Sequence, residues 1–124
     1  MDDFSVKEFL RGVTRQDAEA LRAYFAADAA VYWHNSNECF TAEEYIRANC
    51  AYPGTWDGAV ERVENAGERM IVVAKVWDKK SAYRVVSFLA LEGGKIRRLD
   101  EYWGDVGEVP EWRREMGIGK TIEA

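Results

Sequence analysis

Residues 94–105 read Gly-Lys-Ile-Arg-Arg-Leu-Asp-Glu-Tyr-Trp-Gly-Asp, a glycine turn running into a strand near the end of the chain. Side chains alternate across a strand, so Leu99, Glu101 and Trp103 share one face while Arg98, Asp100 and Tyr102 share the other. Only one of the two carboxylates points where Leu99 points. If that face lines an interior, Glu101 is a carboxylate among apolar side chains, and burial of this kind raises a carboxyl pKa into a chemically useful range.

Upstream, the pattern is one of strands joined by short turns: Trp56 to Asn65, Arg69 to Asp78, Ala82 to Leu91, then Lys95 to Trp103. The connections at Ala66-Gly67, Lys79-Lys80 and Glu92-Gly93-Gly94 are turn chemistry, which predicts an antiparallel, twisted meander. The preceding segment reads as helix. Phe4, Phe9 and Leu10 mark a short apolar stripe ending near Gly12. Thr14-Arg15-Gln16-Asp17 then opens a second helix through Ala18, Leu21, Tyr24 and Phe25, closed by Asp28. Ala29 to His34 is a strand, Asn35-Ser36-Asn37 a turn and Glu38-Cys39-Phe40 a short return strand. Thr41 caps a third helix with Glu43 and Glu44 in its first turn; it carries Tyr45 and Asn49 on one face and ends at Pro53-Gly54. The tail after Pro110 is expected to be a turn or coil that packs through Trp112. Helices first and a meander second make an α+β chain with the helices on one sheet face.

Length bounds the organisation: 124 residues suffice for one domain, residues 1–124, with a real core. Aromatics at 13%, with five tryptophans, serve equally as core or as the lining of an apolar pocket. A net charge of −5 offers no footprint for nucleic acid or an anionic membrane, and Lys79-Lys80 and Arg97-Arg98 are too short to track phosphates. No apolar run approaches the roughly 18 residues of a membrane span. Cys39 and Cys50 lack a paired motif and are read as small core hydrophobes; with no basic-then-apolar leader, the expected compartment is cytoplasmic. A single histidine and two separated cysteines predict no zinc or iron site, and the lack of a glycine-rich loop before a helix disfavours nucleotides. No cofactor is expected.

Two motifs at this separation, Phe25-Ala26-Ala27-Asp28-Ala29-Ala30-Val31 and Gly94-Lys95-Ile96 through Tyr102-Trp103, carry a family resemblance. From about Phe9 to Asp105 the chain resembles the nuclear transport factor 2-like superfamily, in its polyketide-cyclase-like (SnoaL-like) and ketosteroid-isomerase-like branch. The resemblance implies a cone-shaped, strongly curved, largely antiparallel (mixed) sheet wrapped around three N-terminal helices, with an internal pocket. It places Leu99, Glu101, Trp103, Val31, Trp33 and Asn49 inward, along with Arg84, Val86 and Phe88 of the penultimate strand. A homodimer through the outer sheet face is also implied, and Tyr83, Val85 and Leu89 are read as part of that face. Ketosteroid isomerases carry a tyrosine on the first helix and acids on the first and penultimate strands. Phe9, Trp33 and Val86 stand at those positions here, so steroid isomerisation is not expected.

Glu101 is the leading catalytic candidate, as a general acid or base flanked by Leu99 and Trp103; the competing reading is an ion pair with Arg84 or Arg98, or a solvated pocket mouth. His34, the only histidine, is a natural proton shuttle, although alternation with Trp33 turns it away from the pocket unless the strand kinks. Asn49, Tyr45 and Asn35 offer neutral hydrogen bonds to a ligand or, equally, helix and turn architecture. Trp33, Trp56, Trp77 and Trp103 offer aromatic walls, core or dimer contacts. Two functions fit: a cofactor-independent dehydratase, isomerase or cyclase acting by proton transfer on a small apolar or cyclic molecule, or a non-catalytic ligand-binding or dimeric interaction domain.

Overall fold

Helix α1 (Val6–Arg15) starts where Ser5 accepts a hydrogen bond from the Glu8 amide, and ends where Gln16 turns left-handed at φ 54°. The next residue, Asp17, caps α2 (Ala18–Arg22) through the Ala20 amide at 3.1 Å. The polar quartet before α2 is therefore the last turn of α1 plus a cap, and α1 runs past Gly12. That glycine is buried at the contact with α2, where a Cβ would meet the Leu21 side chain at 3.1 Å. The computed structural model describes residues 4–122.

Helix α2 stops three residues before Phe25, which opens β1 (Phe25–Trp33). Leu21, Tyr24 and Phe25 keep a helical spacing, but Phe25 is buried opposite Ile96 of the last strand, and the Ile96 amide bonds the Tyr24 carbonyl at 2.8 Å. Sheet pairing overrides the helical pattern there. A turn leads to β2 (Glu38–Thr41), and Thr41 caps α3 (Ala42–Ala51) with a complete capping box: Glu44 N donates to Thr41 Oγ1 at 3.2 Å, and Thr41 N to Glu44 Oε1 at 2.9 Å. Four long strands follow, β3 (Asp57–Ala66), β4 (Arg69–Trp77), β5 (Ala82–Glu92) and β6 (Lys95–Asp105), and then a short α4 (Glu111–Arg114).

All six strands form one open sheet in the order β2-β1-β6-β5-β4-β3. Only β1 and β6 are parallel, so the sheet is mixed; β2 and β3 are its edges. Helix α1 lies against β3, α3 against β1, and α2 touches both helices, so the helices cover one face. The core beneath them holds Phe9, Leu21, Val31, Tyr45, Ile96 and Leu99.

Register overturns one sequence expectation outright. Ser87 of β5 lies opposite Glu101, Val85 opposite Trp103 and Leu89 opposite Leu99, and residues directly opposite share a face. Val85, Ser87 and Leu89 are buried on the helix side, whereas Arg84, Val86 and Phe88 belong to the outer face. Arg84 pairs with Glu61 of β3 at 2.8 Å, and Phe88 is 42% exposed. Apolar residues occupy both faces of β5, so alternation alone leaves its register open, and a bulge between Ala90 and Leu91 sets it.

Three smaller expectations also change. Trp112 is 63% exposed and does not anchor the tail, its ring lying beneath the Arg113 guanidinium instead. Cys39 is exposed and Cys50 only half-buried, so neither is a core residue. Trp77 lies beside Lys75 rather than on a pocket wall. Among the described residues no helix is long and apolar enough to cross a membrane.

The capping box joins β2 to α3, so its loss should register in global stability. Thr41→Ala is expected to cost about 1 kcal/mol, measured by urea unfolding. Adding Glu44→Ala to that variant should cost much less than Glu44→Ala in the parent, because the two side chains act as one device.

Candidate functional site

Glu101 is 4% exposed and lies at the middle of the sheet, with β1 on one side and β5 on the other. Its side chain is held by those two neighbours: Trp33 Nε1 donates to Oε1 at 3.1 Å and Ser87 Oγ to Oε2 at 2.7 Å. Both donors are neutral. Trp33 and Ser87 are also the register partners of Glu101 on β1 and β5, so backbone pairing itself brings the three side chains together. Neither Arg84 nor Arg98 reaches it; Arg98 bonds Asp100 at 2.8 Å on the opposite face. Burial pushes the Glu101 carboxyl above its ordinary pKa, while the hydrogen bonds from Ser87, Trp33 and Trp103 pull the other way. The nearby phenol of Tyr45 is raised well above its ordinary value by its own burial and then by the charge of Glu101.

A small internal cavity of about 30 Å³ lies against Glu101, Ser87 and Tyr45 under α1. Next to it is a larger open cleft of about 370 Å³, walled by Trp33, Trp56, Trp103, Val13, Val76 and Ala48. Val13, Val76 and Trp103 line both spaces, so these three side chains are the partition between the cleft and the carboxylate. Polar groups reach the cleft from four separate elements: Gln16 at the end of α1, Asn49 and Tyr52 from α3 and its cap, Tyr83 of β5, and Asp105 at the end of β6.

Most of these polar side chains are also structural. Gln16 Nε2 donates to the carbonyls of Asn49 at 2.9 Å and Tyr52 at 2.5 Å, and Asn49 Nδ2 donates to the Val13 carbonyl at 3.1 Å. These bonds lash the C-terminal ends of α1 and α3 together. Asn35 acts as an extra strand residue for β6, with Nδ2 donating to the Trp103 carbonyl at 2.6 Å and Oδ1 accepting from the Trp103 amide at 2.7 Å. Both ends of its amide are occupied. The Tyr52 phenol is held above its ordinary pKa, first by its interaction with the Tyr83 side chain and then by burial.

The structure thus brings Trp33, Trp56, Trp103, Asn35 and Asn49 to the cleft and Tyr45 to the inner cavity. Leu99 is wholly buried core, and Arg84 and Phe88 are on the outer face. His34 and Glu101 lie on opposite faces of the sheet. The histidine bonds Asp100 at 2.8 Å and stacks on Tyr102 with ring centroids 4.3 Å apart. Asp100 is held below its ordinary pKa chiefly by the Arg98 hydrogen bond and secondarily by His34. The acids of a ketosteroid isomerase stay missing with the corrected register, since the inward residues of β5 are Val85 and Ser87. Gln16, Tyr52, Tyr83 and Asp105 were not legible as site residues: each sits at an element end or a turn, and only the packed helices bring them together.

A family model described as the SnoaL-like domain matches residues 6–99. Comparison with curated proteins finds no match. Among solved structures, a candidate ketosteroid isomerase from Kribbella flavida superposes with a TM-score of 0.78 at 23% identity, covering 94% of this chain and 87% of that one. An NTF2-like protein of unknown function from Burkholderia xenovorans gives 0.76 at 19% identity, covering 94% and 91%. A protein with a ketosteroid isomerase-like fold from Catenulispora acidiphila, solved in complex with trimethylamine, gives 0.66 at 20% identity, covering 78% and 82%. At these identities the likeness is one of fold.

The buried carboxyl is testable without a ligand. Its folded-state pKa lies above the unfolded value near 4.5. The stability it supports is complete below that value and is lost as pH rises through the raised one. Glu101→Gln has no proton to lose, so the urea-unfolding difference between variant and parent should move in the variant's favour with rising pH. The expected slope within that window is about 1.4 kcal/mol per pH unit. A difference independent of pH would show that Glu101 ionises as freely as an exposed carboxylate.

Proposed function

This chain belongs to the SnoaL-like domain family, and we propose that its cleft binds a small molecule on which Glu101 carries out cofactor-independent proton transfer of dehydratase, isomerase or cyclase type. The observation that carries the reading is the environment of Glu101: a buried carboxyl beside a small cavity, satisfied by neutral donors and by no cation among the described residues. A structural carboxylate at such depth ordinarily has a cationic partner. Here burial favours the acid form, and Trp33 and Ser87 favour the carboxylate, which leaves both forms accessible to one group. As the acid, Glu101 gives its proton to a ligand oxygen. As the carboxylate, held by the same two donors, it takes a proton from an adjacent carbon. The ligand enters from the cleft, and Trp103 is the side chain it must pass. A protein with this fold has been solved in complex with trimethylamine, which supports a small organic ligand for this chain. Phe9, Trp33, Val85 and Ser87 supply none of the groups of a ketosteroid isomerase.

The outer face supports a homodimer in this reading. Phe88 and Tyr102 are 42% and 46% exposed there, with ring centroids 6.0 Å apart, and Val86 lies directly opposite Tyr102 on the same face. Phe88→Glu is expected to convert a sedimenting dimer to monomer at micromolar concentration without altering the cleft.

Proton transfer is read most directly as deuterium incorporation from D2O beside the carbonyl of cyclic ketones and lactones, followed by NMR. The wild type should exchange at least one of a panel faster than buffer, with Glu101→Gln slower by about a hundredfold or more and His34→Gln unchanged. Ligand binding with exchange no faster than buffer would leave the non-catalytic binding protein as the correct reading.

A further inference from the structure

Most N–H groups that line the cleft already have partners within the fold. Gln16 spends both side-chain N–H groups on backbone carbonyls, and Asn49 and Asn35 spend one each, on Val13 and Trp103. The indole of Trp56 donates to the Pro53 carbonyl at 3.0 Å, and that of Trp33 to Glu101. Of the hydroxyls, Thr14 donates to the Arg11 carbonyl and Ser36 to Glu38. Among the polar groups that line the cleft, the side-chain oxygens of Gln16 and Asn49 take no hydrogen bond from the described residues, and the Asp105 carboxylate adds a negative charge. No lysine, arginine or histidine lines the cleft.

The walls have the same polarity. Trp56 stands at the centre of three inclined rings, with the Tyr52 ring centroid 5.6 Å away at 65° and that of Tyr83 5.9 Å away at 42°. Rings set at such angles form a corner rather than a stack, and an aromatic face presents negative electrostatic potential. Two carboxylates add to it: Tyr52 is held above its ordinary pKa first by its interaction with Tyr83 and by burial, with smaller contributions from Asp78 and Asp105.

From this distribution of donors, acceptors and rings we infer that the cleft selects ligands carrying an alkylated ammonium group, seated in the Tyr52, Trp56 and Tyr83 corner with Asp105 as its counter-charge. The inference rests on the small-molecule reading of the cleft and narrows it to a substrate class. A ligand anion finds no lysine, arginine or histidine among the described residues that line the cleft. A cation with few or no N–H bonds is matched by ring faces and a carboxylate. The rest of such a ligand extends along Trp33 toward Trp103 and the partition in front of Glu101.

Choline and 3,3-dimethylbutan-1-ol have the same shape and differ in having nitrogen or carbon at the branched centre, which isolates the charge. In isothermal titration at fixed ionic strength, choline is expected to bind at least about tenfold tighter than the neutral alcohol. Asp105→Asn and Trp56→Leu should each erase most of that preference. Asp105 is exposed, so its variant tests the inference even if Trp56→Leu does not fold. Equal affinity for the two probes, or a preference unchanged in Asp105→Asn, overturns the cation inference and leaves the small-molecule reading standing. Binding of neither probe alongside continued deuterium exchange on neutral ketones overturns it in the same way. Failure of both assays removes the two together.

Discussion

Everything near the site depends on one lateral clasp, in which the Glu101 carboxyl is held by the residues next to it on both flanking strands. Removing a carboxylate from water is costly unless its oxygens are met. Here Trp33 on β1 donates to one oxygen and Ser87 on β5 to the other, both placed by the sheet register itself. The bonds orient the large Trp33 ring, which in turn packs on Phe40 and Tyr45 and forms a wall of the cleft. A single buried acid thus fixes the geometry of three strands and one side of the pocket. Its partners on the flanking strands are neutral donors, so burial, which raises the carboxyl pKa, is opposed by hydrogen bonds and not by a cation among the described residues.

The cleft shows a second economy. Gln16 and Asn49 serve the fold with their nitrogens and leave their oxygens without a partner among the described residues, so the bonds that lock α1 to α3 also shape the polarity of the cleft. Walls held by such bonds are preorganised, and a ligand does not have to order them.

Much of this architecture could be read from the chain, and the failures are informative. The α3 cap, the four-strand meander and the shared face of Leu99, Glu101 and Trp103 carry local signals: a capping box, turn glycines and alternation. The register of β5 carries none, since Tyr83, Val85, Ser87 and Leu89 on one face are scarcely more apolar than Val86 and Phe88 on the other. Pairing with β6 decides it. Phe25 was misplaced because its spacing from Leu21 suits a helix, and only the distant Ile96 makes it a strand residue. The same holds for the cleft. Trp33, Trp103 and Asn49 were legible because each sits on a periodic element. Gln16, Tyr52 and Asp105 sit at element ends, where no period exists. His34 illustrates the reverse error: its titration range suggested chemistry, and strand alternation correctly argued that it faces away from Glu101.

The parallel pairing of β1 with β6 has a bearing on how the protein is made. Strand β1 is flanked in the sheet by β2 and β6, and it meets Leu99, Asp100 and Glu101 only after the rest of the sheet has been translated. During synthesis Val31 and Trp33 wait for most of the chain with one neighbour missing, and such long-range closure is the slow, exposed step of folding. The clasp that creates the acid is then also the last joint to close. A nascent chain truncated before Lys95 would have α1 to α3 and β1 to β5, yet lack Glu101 and the strand that joins β1 to β5.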